Sequence, residues 1–166
     1  VLLQEKSDNL FYKINKSKNN LLFDLKMNFE NNSLLIGFLD YKKKEGLDSI
    51  VSIKGNFKKN NQISFDLINL KEKNNEISIK ELDLNENFKI IDIKSFNANY
   101  INDKNILNDL YLKKDQSNYI IEGESFDSSS VINSIMNSDE QGSSIFHNLN
   151  SKINIKIKKT YIDEVN

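Results

Sequence analysis

Apolar and polar residues alternate in short runs through most of this chain, the signature of strands with one buried face. Leu21, Phe23, Leu25, Met27 and Phe29 share one phase, with Asp24, Lys26 and Asn28 on the other. Asn31 and Asn32 predict a turn, after which a more continuous apolar run passes through Leu34, Leu35, Ile36 and Phe38. Val51, Ile53 and Phe57 alternate again around Gly55, and residues 58–61 (KKNN) signal a turn before Ile63, Phe65 and Leu67. Two runs then change phase. Ile63, Phe65 and Leu67 give way to Ile68 and Leu70, and Ile77 and Ile79 to Leu82 and Leu84. A one-residue slip turns later side chains to the other face unless a bulge absorbs it. Bulges are therefore expected near Leu67 and Ile68 and near Lys80 and Glu81, where they would curve the sheet.

Phe88, Ile90, Ile91 and Ile93 predict a further strand that Phe96, Ala98 and Tyr100 continue. Residues 107–112 and 119–124, then Ile153, Ile155 and Ile157, complete the series. Strand, short polar turn and strand again predict an antiparallel meander. The expected fold class is mainly β, a curved and twisted antiparallel sheet, groove- or taco-like, formed by residues 1–166 as one segment. One stretch breaks the pattern, residues 122–137 (EGESFDSSSVINSIMN). Asp127 is a good N-cap, and Val131, Ile132, Ile135 and Met136 fall on one helical face. A short helix near residues 128–137 follows, too short to stand alone, so it packs on the sheet or plugs one end of it.

Composition narrows the chemistry. Lysine and arginine total 23 against 24 acidic residues, and every basic residue is a lysine, so a nucleic-acid surface is not expected. There are no cysteines, prolines or tryptophans, and Ala98 is the single alanine. The abundant Lys, Asn and Ile read as an A/T-rich coding bias. No apolar stretch approaches the roughly 20 residues that span a bilayer, and the chain opens at Val1, which reads as a fragment or mature segment.

No catalytic or metal site emerges from the residues. His147, the single histidine, has no carboxylates at ligand spacing. Ser128, Ser129 and Ser130 lack a nucleophile elbow and suit a helix start. Asp83, Asn85 and Asn87 mimic the start of a calcium loop, but Phe88 stands where such a loop needs glycine. Asp24, Asp66, Glu76 and Asp92 occupy polar strand positions, where solvated carboxylates belong. No cofactor is expected.

Residues 74–100 (NNEISIKELDLNENFKIIDIKSFNANY) resemble a repeated pattern of AsmA-like proteins, in which a strand ends in an L-x-L pair before a polar turn. Residues 118–137 resemble a junction of the YhdP-like branch, with Tyr119, Gly123, Phe126, Asp127, Ile132 and Ile135 at the matching positions. Serines stand where the pattern has alanine or proline after the aspartate, and the anchoring transmembrane helix is absent, as in a fragment of a larger chain. The resemblance implies a non-enzymatic envelope segment in the periplasm of a didermic bacterium, held to the inner membrane by an anchor elsewhere. Its partners would be phospholipid acyl chains sliding along an apolar face between inner and outer membranes. Ile77, Ile79, Leu82, Leu84, Ile90, Ile93, Ile153, Ile155 and Ile157 are the expected lining. The residues alone leave open a structural or adhesive β-domain of an envelope protein.

Overall fold

The computed structural model describes residues 6–17, 20–58, 61–136 and 151–162. In chain order these form β1 (Asn9–Ser17), β2 (Asn20–Phe29), β3 (Leu34–Ile36), a 3-10 turn (Gly37–Leu39) and β4 (Tyr41–Lys43). There follow β5 (Ser49–Lys58), β6 (Ile63–Glu72), β7 (Asn75–Leu84), β8 (Ile90–Ile101), β9 (Leu107–Asp115) and β10 (Asn118–Asp127). Helix α1 (Ser129–Met136) and β11 (Ile153–Tyr161) complete the order. Among the described residues one nine-stranded sheet runs β1-β2-β5-β6-β7-β8-β9-β10-β11, and β3 and β4 pair with each other. The fold is mainly β with one short helix.

Two features of the expected sheet are corrected. It is mixed, because β11 runs parallel to β10 from Tyr119↔Ile153 to Asp127↔Tyr161. Parallel neighbours require a crossover, commonly helical, and α1 lies in the connection between them. The sheet is also open and not strongly curled, so it is no groove or taco. The phase slips do correspond to irregularities. The register shifts between Lys54 and Gly55 as Asp66 is passed over on β6, and Glu81 on β7 takes φ 49°. Yet β6 and β7 keep one register from Ile63↔Leu84 to Glu72↔Asn75. The extra residues thus face each other across the pair, so they restore the apolar face without rolling the sheet up.

At two irregularities the chain needs glycine. A Cβ on Gly55 would collide with the Ser64 carbonyl and the Phe23 ring, and one on Gly123 with the Asp109 carbonyl.

With no proline, polar residues make the hairpins. Lys73 (φ 49°) and Gln116 (φ 56°) open two-residue turns. Asn61, Phe88 and Asn105 adopt left-handed φ of 60°, 59° and 60° in three longer turns of one design. In two of these an asparagine carbonyl holds the loop. Asn85 Oδ1 accepts from the Asn87 and Lys89 amides at 2.9 and 3.0 Å, and Asn102 Oδ1 from Lys104 and Ile106 at 3.1 and 3.0 Å. The calcium-like spacing at Asp83, Asn85 and Asn87 is therefore a hairpin turn. Phe88 is the odd residue, exposed and in a backbone region that disfavours a bulky side chain. Phe88→Gly should raise stability by about 1 kcal/mol, read as a higher urea midpoint with unchanged slope, whereas Phe88→Val should lower it.

Cross-strand register sorts the side chains onto two faces, because residues opposite one another share a face. One row reads Leu10, Met27, Val51, Leu70, Ile77, Ala98, Leu110, Gly123 and Ile157 across all nine strands. The next on that face reads Tyr12, Leu25, Ile53, Ile68, Ile79, Phe96, Leu112, Ile121 and Ile155. Beyond the irregularities the same face continues through Ile14, Phe23, Gly55, Phe65, Leu82 and Ile93, then Leu21, Phe57, Ile63, Leu84 and Ile90. The reverse face carries Lys26, Ser52, Asn69, Ser78, Asn97, Tyr111, Glu122 and Lys156. One side of the sheet is apolar and the other polar.

Candidate functional site

The apolar face is divided along the strands. At one end it is covered by the chain itself. Leu34, Ile36 and Phe38 pack with Leu39 and Tyr41 over Leu70, Ile77, Ala98, Tyr100, Leu110 and Phe126, and Val131 of α1 joins them. The unperiodic run from Leu34 to Phe38 thus supplies a lid for the sheet. Ala98, the only alanine, is completely buried there.

Polar groups lock this cover down. The Tyr41 hydroxyl donates to Glu72 at 2.6 Å, and that of Tyr100 donates to the Leu39 carbonyl. The two rings meet edge to face, with centroids 5.5 Å apart and planes at 84°. Burial raises both phenols above their ordinary range, with Glu72 adding to the effect on Tyr41 and Asp40 and Asp127 on Tyr100. Lys43 is fully buried, its ammonium donating to the Glu30 and Asn32 carbonyls at 2.9 and 2.7 Å. Burial lowers its pKa, opposed by Asp8 and Glu72. Asp8 in turn accepts from the Glu30 and Asn31 amides, each at 3.0 Å. Burial works against its charge, but these bonds and the Asn32 side chain prevail and bring its pKa to about 2.

Asp127 sits where β10 becomes α1. Its carboxylate accepts from the Ser129 amide at 3.1 Å and the Ser129 hydroxyl at 2.5 Å. It also accepts from Asn102 at 2.9 Å and Lys104 at 3.1 Å. Burial alone would raise its pKa, but the bonds from Ser129 and Lys104 outweigh that and hold it below the usual carboxylate range. The residue read from sequence as a cap thus satisfies an amide at the helix start, and it also anchors the β8–β9 turn. Ile132 and Val131 are half-buried, while Ile135, Met136 and His147 lie outside the residues whose side chains are described.

The other end of the apolar face has no described element over it. A second cluster there joins Leu82, Ile93, Leu112 and Tyr119, each buried to 7% exposure or less, and its described neighbours are all strand residues. Among the expected lining residues, Ile79, Leu84, Ile90 and Ile153 pack around this cluster, and Leu82 and Ile93 form it. Ile77 and Ile157 lie instead under the cover. Ile155, on the β11 edge, is 64% exposed. The same open end continues across β1, β2 and β5, where Ile14 is 52%, Leu21 39% and Phe57 39% exposed. Phe23 and Phe65 meet edge to face beneath them, 5.8 Å between centroids. These residues were missed from sequence as part of the surface, although the alternation from Leu21 to Phe29 already carried the signal.

The polar face holds a shallow depression lined by Asp109, Tyr111, Glu122, Glu124, Lys156 and Lys158. Its charges are engaged locally, Lys158 with Glu124 at 2.6 Å and Lys113 with Glu122 at 3.1 Å. No group of three or more potential metal ligands occurs among the described residues. No described helix is long and apolar enough to cross a membrane. Comparison with protein-family models, curated proteins and solved structures finds no match.

Proposed function

We propose that this chain is a non-enzymatic sheet segment of an AsmA-like envelope protein, and that the open end of its apolar face holds phospholipid acyl chains in transit between inner and outer membranes. The observation that carries this reading is the exposed apolar end itself, where Ile14, Leu21 and Phe57 stand uncovered beside Phe23, Ile63 and Leu84. Contiguous exposed apolar surface of this kind marks interaction with lipid or protein. Each methylene removed from water is worth about 0.8 kcal/mol, so a few suffice to hold an acyl chain on an open surface. The polar reverse face keeps the other side of the sheet solvated. The resemblance of residues 74–100 and 118–137 to AsmA-like proteins supports a place in the periplasm, with the membrane anchor elsewhere in a longer chain. No charge or nucleophile is required for such a role.

The self-made cover favours a second reading, a structural or adhesive envelope domain, because the chain fills the other half of its apolar face with its own side chains. Lipid extraction separates the two. Purified protein incubated with vesicles of phosphatidylethanolamine and phosphatidylglycerol, then separated from them, should carry away phospholipid. Phe57→Asp combined with Leu84→Asp should abolish this, while Lys26→Asp at an exposed position of the polar face leaves it intact. Wild-type protein emerging free of lipid would leave the structural reading standing.

A further inference from the structure

The two edges of the sheet are unlike. On β11, Lys156, Lys158 and Lys159 guard the edge, with Lys158 bonded to Glu124 and Lys159 set 4.8 Å over the Tyr161 ring. Edge lysines are a common defence against the addition of another strand. On β1 every residue is exposed, and Leu10, Phe11 and Tyr12 are bare at 50%, 59% and 69%. Pairing with β2 satisfies only one side of that strand. Among the described residues no strand pairs with its other side, which carries amides and carbonyls beside large apolar side chains.

We propose that two copies of this chain join edge to edge through β1, antiparallel and centred on Tyr12. The polarity of residues 8–16 (DNLFYKINK) reads nearly the same in both directions about that residue. Centred there, Tyr12 faces its counterpart and Leu10 faces Ile14, all on the apolar face. Phe11 faces Lys13 on the polar face, and Asn9 faces Asn15. Neighbouring registers are worse. A centre at Lys13 sets that lysine against itself, and a centre at Phe11 sets Asp8 against Ile14. Pairing β1 with the β11 edge of another copy would meet the edge lysines Lys156, Lys158 and Lys159, so an open chain of copies is disfavoured. The two-fold contact is self-complementary and closes on itself. It also aligns both apolar faces on the same side. The pairing rests on β1 alone and stands whether or not that face carries lipid.

The absence of cysteine makes the test simple. Opposed Cα atoms of an antiparallel pair lie about 4.5–5.5 Å apart, within the range a disulfide spans. Tyr12→Cys should give a disulfide-linked dimer on mild oxidation, and Ile155→Cys on the other edge should not. By sedimentation equilibrium, wild-type protein should be dimeric at tens of micromolar, and Tyr12→Lys should weaken association at least tenfold. Circular dichroism checks that the variants keep their sheet. A wild-type chain that sediments as a monomer throughout, or Ile155→Cys cross-linking as readily as Tyr12→Cys, would overturn the proposal.

Discussion

Replacing Tyr41 by alanine should cost about 4 kcal/mol of stability, the largest effect of any single change in the cover. The ring is almost wholly buried and stacks edge to face on Tyr100. Losing a buried aromatic of this size costs about 3–5 kcal/mol through transfer and cavity terms. The substitution also strands Glu72, itself only 5% exposed, without the hydroxyl that donates to it. Tyr41→Phe isolates that second part, because it keeps the ring and deletes the donor. About 1–3 kcal/mol is expected for it, the cost of leaving a buried acceptor unmet. Urea unfolding of the two variants checks the division. If Tyr41→Phe matched Tyr41→Ala, the hydroxyl would dominate and packing beneath the cover would matter little.

Asp127→Ala should cost about 3 kcal/mol, because one carboxylate joins the helix start to the β8–β9 turn through Ser129, Asn102 and Lys104. Hydrogen bonds to a charged group contribute about 1.5–3 kcal/mol each and are not additive within a network. The effect carries a pH signature. Asp127 has a folded pKa below the ordinary value of about 3.9, so its charged form stabilises the fold. That contribution is complete above the unfolded pKa and is lost as pH falls through the lower folded value. The stability gap between wild type and Asp127→Asn should therefore be flat from about pH 5 to 7 and shrink below about pH 4. Asp8, held at about 2, produces acid sensitivity of the same sign, but it remains in both proteins and cancels from the difference. A gap that widened on acidification would mean that Asp127 is not stabilising as an anion.

Much of the sheet was legible because strand alternation is a local signal. Leu21 to Phe29 showed its facing without any knowledge of its neighbours. The slips after Leu67 and Ile79 announced extra residues, and these lie at Asp66 and Glu81, within one or two positions. What the slips could not convey was their alignment across β6 and β7, which depends on register between distant residues and leaves the sheet uncurled. The direction of β11 was likewise hidden, since Ile153, Ile155 and Ile157 alternate identically in a parallel or an antiparallel neighbour. The aperiodic run at Leu34 to Phe38 carried no sign of its role as a cover. The partnership of Tyr41 with Glu72, residues 31 apart in sequence, is a tertiary fact that no local pattern encodes. The expected lining stopped at β7: Ile79, Leu84, Ile90 and Ile153 pack around the buried pair Leu82 and Ile93, while Ile77 and Ile157 lie under the cover. The resemblance that suggested it was clearest after residue 74, whereas the apolar surface runs on to β1.

Photo-cross-linking from single positions on the two faces decides whether that surface carries lipid. A benzophenone amino acid at Phe57, Ile63 or Leu84 should give phospholipid adducts in a didermic host, identifiable by mass spectrometry. The same probe at Asn69 or Ser78, on the polar face of the same strands, should give none. Adducts from the apolar positions alone would bear out the assignment. Adducts equally from both faces, or only to protein from Phe57, Ile63 and Leu84, would contradict it.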